Sequence, residues 1–135
     1  MYNTLVMAHS GWRWLVVLIG VIFLVKMILG LVQKGKWSKL DRQLGMFTTI
    51  AVDIQVLFGL IIWIMGGWWS AGGANPRSFE HPFLMLAALG VMHVGWGRAK
   101  KASTDAGKFR QALIWFGIAA LLVTLGILRV SGGMA

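Results

Sequence analysis

The stretch SGWRWLVVLIGVIFLVKMILGLV, residues 10–32, decides the fold. A bilayer crossing needs about 20 mainly apolar residues in helical form. This run supplies them, with Arg13 and Lys26 as its only charges. Three further stretches read the same way: residues 44–66, 81–97 and 111–130. The predicted fold is an all-α membrane protein, an up-down antiparallel bundle of four transmembrane helices with both termini periplasmic.

The composition supports that reading. The chain has 135 residues, 58% of them hydrophobic, and a mean hydropathy of +0.74. Only 13% are charged, about half the share in a typical soluble domain, near 25%. Spans and short loops use the whole length, so one transmembrane domain over residues 1–135 is expected. Without cysteine, disulfides, thiolate metal sites and cysteine-held iron–sulfur clusters are excluded. The first apolar stretch lacks a basic leader and exceeds a typical signal core, so it reads as a retained helix with a translocated N-terminus.

Charge placement sets the topology. Lys34, Lys36, Lys39 and Arg42 lie between the first two spans, and Arg98, Lys100, Lys101, Lys108 and Arg110 between the last two. The remaining connection, residues 67–80, carries a single basic residue, Arg77. The positive-inside rule then puts both basic segments in the cytoplasm and both termini outside a bacterial inner membrane. The net charge of +9 is thereby topology, with contact to the lipid bilayer and its anionic headgroups. Nucleic acid is not an expected partner, because the basic segments are short and lack interleaved base-stacking aromatics. Trp12, Trp14, Trp68 and Trp69 are expected as an outer aromatic belt, Trp37 and Trp96 as an inner one.

Ionisable groups within spans are functional-site candidates by default. His9 and His81 stand at the same end of the first and third spans, which are diagonal neighbours in an up-down bundle. Opposed neutral imidazoles are good axial ligands for haem iron, so His9 and His81 are the expected metal ligands and one haem b the expected cofactor. Arg13 lies one turn below His9. Met85, Ala88 and Met92 follow His81 at helical spacing. Arg13 and Arg77 are candidate propionate partners, Glu80 a candidate partner for Arg13 or for an imidazole, and Met85 a candidate contact for a macrocycle. A ligand-free hydrogen-bonded cluster of His9, Arg13, Glu80 and His81, pinning the first helix to the third, fits the same residues. At this stage both readings stand.

A second polar layer is expected toward the cytoplasm, made of Lys26, Asp53, Gln55 and His93, with a Lys26–Asp53 pair inside it. The alternatives there are a snorkelling Lys26 and a packing bond between His93 and Asp53. A proton relay or a quinone contact would use the same Asp and His. His81 and His93 are separated by about 18 Å along one helix and cannot share an iron.

The segments His9-Ser10-Gly11-Trp12-Arg13-Trp14, Asp53-Ile54-Gln55 with Gly59, Phe79-Glu80-His81, Gly97-Arg98-Ala99-Lys100-Lys101-Ala102 and Phe116-Gly117 together resemble a family of small four-span bacterial membrane proteins commonly labelled cytochrome B. The resemblance runs along essentially the whole chain in the same order. It implies haem ligation at His9 and His81, with Arg13 and Glu80 beside them. The family pattern has histidine where this chain has Asp53 and another residue at His93, so the inner layer departs from it. The ending Arg129-Val130-Ser131-Gly132-Gly133 departs as well, from a Pro-containing one. The functional expectations are a b-type electron carrier with possible quinone contact, or a non-catalytic accessory subunit of a larger respiratory or photosynthetic complex. A homo-oligomer and, behind these, an ion or proton pathway complete the set.

Overall fold

The computed structural model describes residues 1–70 and 79–134, with side chains as far as Leu128. Four helices follow in order: α1 (Tyr2–Val32), α2 (Lys39–Met65), α3 (Glu80–Lys101) and α4 (Asp105–Met134), with one 3-10 turn at Trp68–Ser70. Among the described residues there is no strand. Three helices, α1, α2 and α4 as far as Leu128, are long and apolar enough to cross a membrane. This is the signature of a membrane protein. At 22 residues, α3 is about 33 Å long, but its histidines, glycines and basic end keep its hydropathy below that of the others.

Both basic connections are shorter than the sequence suggests, because local capping draws their residues into helices. Ser38 Oγ accepts the Asp41 N–H (3.3 Å), while the Asp41 carboxylate accepts the Ser38 N–H (2.8 Å). This reciprocal capping box satisfies otherwise orphaned backbone donors and starts α2 at Lys39, well before Leu44. Arg98, Lys100 and Lys101 form the last turn of α3, where positive charge complements the helix dipole. Thr104 Oγ1 accepts the Gly107 N–H at 2.9 Å and opens α4. The α1 helix also begins early, at Tyr2, so its turns extend beyond His9.

Pairwise contacts fix the arrangement. Along α1 and α2, His9 meets Gln55 and Lys26 meets Asp41; along α3 and α4, His81 meets Gly126 and Gly95 meets Trp115. Each pair runs antiparallel. The α1–α4 contacts Phe23–Phe116 and Gly30–Phe109 and the α2–α3 contacts Gly45–Trp96 and Asp53–His93 close the ring. This leaves α1 and α3 parallel across the diagonal, with Phe23 against Trp96 near one end and His9 against His81 near the other.

The core is densest toward the basic end, where Phe23, Met27, Trp96, Phe109 and Phe116 are buried. The Phe23–Phe116 ring centroids are 4.7 Å apart and those of Trp37–Phe109 5.2 Å, within the range of favourable edge-to-face and tilted pairs. Gly30, Gly45 and Gly95 lie against Phe109, Trp96 and Trp115, where any Cβ would strike the ring or its stem. Trp96, expected in an interfacial belt, is instead 7% exposed core, because the cleft at Gly45 admits its ring. Trp12 likewise donates its indole N–H to the Ala51 carbonyl at 2.8 Å, joining α1 to α2. Outward faces are apolar, with Leu18, Leu57 and Leu121 more than half exposed.

Candidate functional site

The bundle opens at the end away from the basic residues into a cavity of about 320 Å³, at the lower end of the usual range for small-molecule sites. His9, Arg13, Gln55, Gly59, His81 and Met85 line it. The two imidazoles face each other with centroids 6.5 Å apart and planes at 89°.

Hydrogen bonding fixes both rings the same way. His9 Nδ1 lies 3.1 Å from the Gln55 carbonyl oxygen on α2, and His81 Nδ1 lies 3.1 Å from the Gly126 carbonyl oxygen on α4. A backbone carbonyl only accepts, so each Nδ1 carries the proton, and in the neutral ring the lone pair sits on Nε2. This is the tautomer that ligates a metal, with the outer hydrogen bond setting ring orientation. Gln55 also donates from Nε2 to the His9 carbonyl at 2.8 Å, locking α2 to the turn that carries the imidazole.

Two imidazoles whose centroids stand 6.5 Å apart are the candidate protein ligands for a metal-bearing group at this site. Among the described residues, no group of three or more His, Cys, Asp or Glu could hold a metal ion. A bare ion would lack the third and fourth protein ligands of a typical site. A haem would bring most of its own ligands and would need no more than two from the protein.

Two polar atoms in the cavity wall add to this. Arg13 Nε and Gln55 Oε1 are buried and without a hydrogen-bond partner. The guanidinium carbon of Arg13 sits 5.0 Å over the Trp14 ring, which holds the cation beside the cavity. A carboxylate entering there would meet a buried donor bearing positive charge, the strong kind of hydrogen bond.

The structure gathers His9, His81, Arg13 and Met85 around one cavity. Glu80 is exposed at the start of α3 and is not among the cavity-lining residues. Arg77 lies outside the described residues. Each imidazole is tied through Nδ1 to a backbone carbonyl, so His9 joins α1 to α2 and His81 joins α3 to α4. The site also includes Gln55, Gly59 and Gly126, which the sequence pattern does not mark as part of it. A methyl group on Gly59 would lie 3.1 Å from His9 Cε1, and one on Gly126 would strike the Met85 methyl 3.4 Å from His81 Nδ1.

The second polar layer divides into three. Lys26 pairs with Asp41 at 2.7 Å, not with Asp53, and Asp41 is fully buried while Lys26 is 34% exposed. The early start of α2 brings Asp41 within reach. Gln55 faces the cavity, because two residues along a helix turn it about 200° away from Asp53. Asp53 pairs with His93 at 2.7 Å, on the outer seam between α2 and α3, with both side chains nearly half exposed.

No protein-family model, curated protein or solved structure matches this chain.

Proposed function

We propose that this chain is an integral-membrane electron-transfer protein of the b-cytochrome kind, binding one haem b between His9 and His81. The observation that carries the proposal is the pair of imidazoles at 6.5 Å, each anchored through Nδ1 to a carbonyl of a different helix. In this reading all four helices cross the bacterial inner membrane. The basic helix ends face the cytoplasm and the haem lies near the periplasmic side, following the positive-inside rule.

His9 and His81 would hold the iron, and Arg13 would bind a propionate. Met85 offers a polarisable apolar contact to the macrocycle. Gln55 and Gly126 keep both rings in the ligating tautomer. The group supplies one-electron redox chemistry at a potential set by its axial ligands and the polarity around them. Met85, Val52, Val56 and Leu60 keep the inward wall of the cavity apolar, so little protein reorganisation accompanies a change of charge there.

Pyridine haemochrome analysis of protein purified from haem-replete cells tests this. One haem b per chain is expected, with none in His9→Ala or His81→Ala. Restoration of colour to His81→Ala by added imidazole would separate lost ligation from lost folding. Protein that folds and remains colourless overturns the proposal.

A further inference from the structure

Asp53 and His93 are not used by the haem site, and their position is costly. The pair is about 18 Å below His81 and about 6 Å inside the end of the apolar run at Gly97 along α3, within a hydrocarbon layer of about 30 Å. Yet the side chains are 41% and 49% exposed on the outside of the bundle. Ionisable groups at that depth are expected to face a bundle interior or a polar cavity, not lipid.

The surface around them has a shape. On α3, Leu86, Gly90, His93 and Gly97 recur at helical spacing on one face. On α2, Ile50, Asp53 and Leu57 do the same. Leu86, Ile50 and Leu57 are exposed. Gly90 and Gly97 bracket His93, and a Cβ built on either meets nothing within 4 Å. Gly11, Gly20 and Gly117 are equally open, so notches alone do not mark this face. The coincidence of two notches with an outward-facing ion-pairing couple does.

We propose that this α2–α3 face is the dimer interface for a second copy of the chain. A two-fold interface is self-complementary, so each His93 meets the other copy's Asp53. His93 uses Nε2 on its own Asp53; Nδ1 and Asp53 Oδ2 remain for the crossing bond. The two His93–Asp53 couples then close on one another, shielded from lipid. Gly90 and Gly97 let the two α3 helices approach closely enough to place it, as small residues do between membrane helices. The proposal rests on α3 crossing the bilayer, not on what fills the cavity near His9.

The chain has no cysteine, so single thiols report cleanly. Leu86→Cys or Val94→Cys, oxidised in native membranes, is expected to give a cross-linked product of twice the chain mass. Leu121→Cys on α4, more exposed on the outer face than either, should not. Gly90→Leu fills a notch that touches nothing in its own protomer, so in the Val94→Cys background it should abolish the cross-link without lowering the thermal melt. Equal cross-linking from α3 and α4, an adduct of some other mass, or cross-linking indifferent to Gly90→Leu overturns the interface. Rapid labelling of Val94→Cys by a membrane-impermeant maleimide would refute the bilayer crossing of α3 itself. A thiol that is shielded but never cross-linked sinks only the dimer.

Discussion

Gly59→Ala pits helix stability against the seating of His9. The added methyl would lie 3.1 Å from His9 Cε1 and 3.7 Å from each ring nitrogen. Carbon–carbon contacts are comfortable at about 3.5–4.0 Å, so the imidazole must retreat by about 0.5 Å. Its Nδ1 already sits 3.1 Å from the Gln55 oxygen, close to the long limit of about 3.2 Å for a good N–H···O bond. The ring therefore stretches that bond or tilts, and either movement spoils its aim toward His81. Losing an orienting outer hydrogen bond costs about 10–100-fold in metal affinity, or about 1.4–2.7 kcal/mol. The fold is affected in the other direction. Replacing a mid-helix glycine by alanine gains up to about 1 kcal/mol of helix propensity. Haem titration of the apoprotein should thus give a weaker Kd, while the circular-dichroism melt of the apoprotein occurs no earlier. Gly117→Ala, whose Cβ meets nothing within 4 Å, should give the same propensity gain and an unchanged Kd. Wild-type haem affinity in Gly59→Ala would refute the account of how His9 is held. So would haem loss that merely follows unfolding.

Other substitutions separate site from scaffold. Asp41→Asn leaves the Lys26 ammonium without its carboxylate and weakens the cap of α2; breaking a buried pair costs about 3–5 kcal/mol. Because Lys26 is 34% exposed, about 2–3 kcal/mol is expected, read as a lower melting temperature with haem content per folded chain unchanged. Trp12→Phe removes the indole bond to Ala51 and should cost about 1 kcal/mol by the same measure. Arg13→Gln removes the cation beside the cavity and should weaken haem binding by about 1.5–3 kcal/mol, measured by titration, without shifting the apoprotein melt.

The helices and the diagonal placement of His9 and His81 were legible because apolar run lengths mark the helices and short connections alternate their directions. The details of depth were not. Taking the ends of the apolar runs as the ends of the helices put His9 at the rim, although α1 continues several residues beyond it. The same step placed the start of α2 near Leu44, which hid the reach of Lys26 to Asp41. The Ser38–Asp41 spacing was a readable signal for the earlier start. Gln55 was misplaced by reading depth without rotation, since its separation from Asp53 turns it to the opposite face. The roles of Gly59 and Gly126 depend on which ring faces each glycine. That is settled by packing between helices distant in sequence, and no local pattern carries it.

The most direct test of the central claim is the low-temperature EPR spectrum of the purified ferric protein, taken beside its reduced-minus-oxidised optical spectrum. Bis-imidazole ligation with ring planes near 89° predicts a single low-spin, strongly anisotropic haem signal of one spin per chain, absent from both His9→Ala and His81→Ala. A high-spin signal, a signal that survives loss of either histidine, or folded protein with no haem signal at all would contradict it.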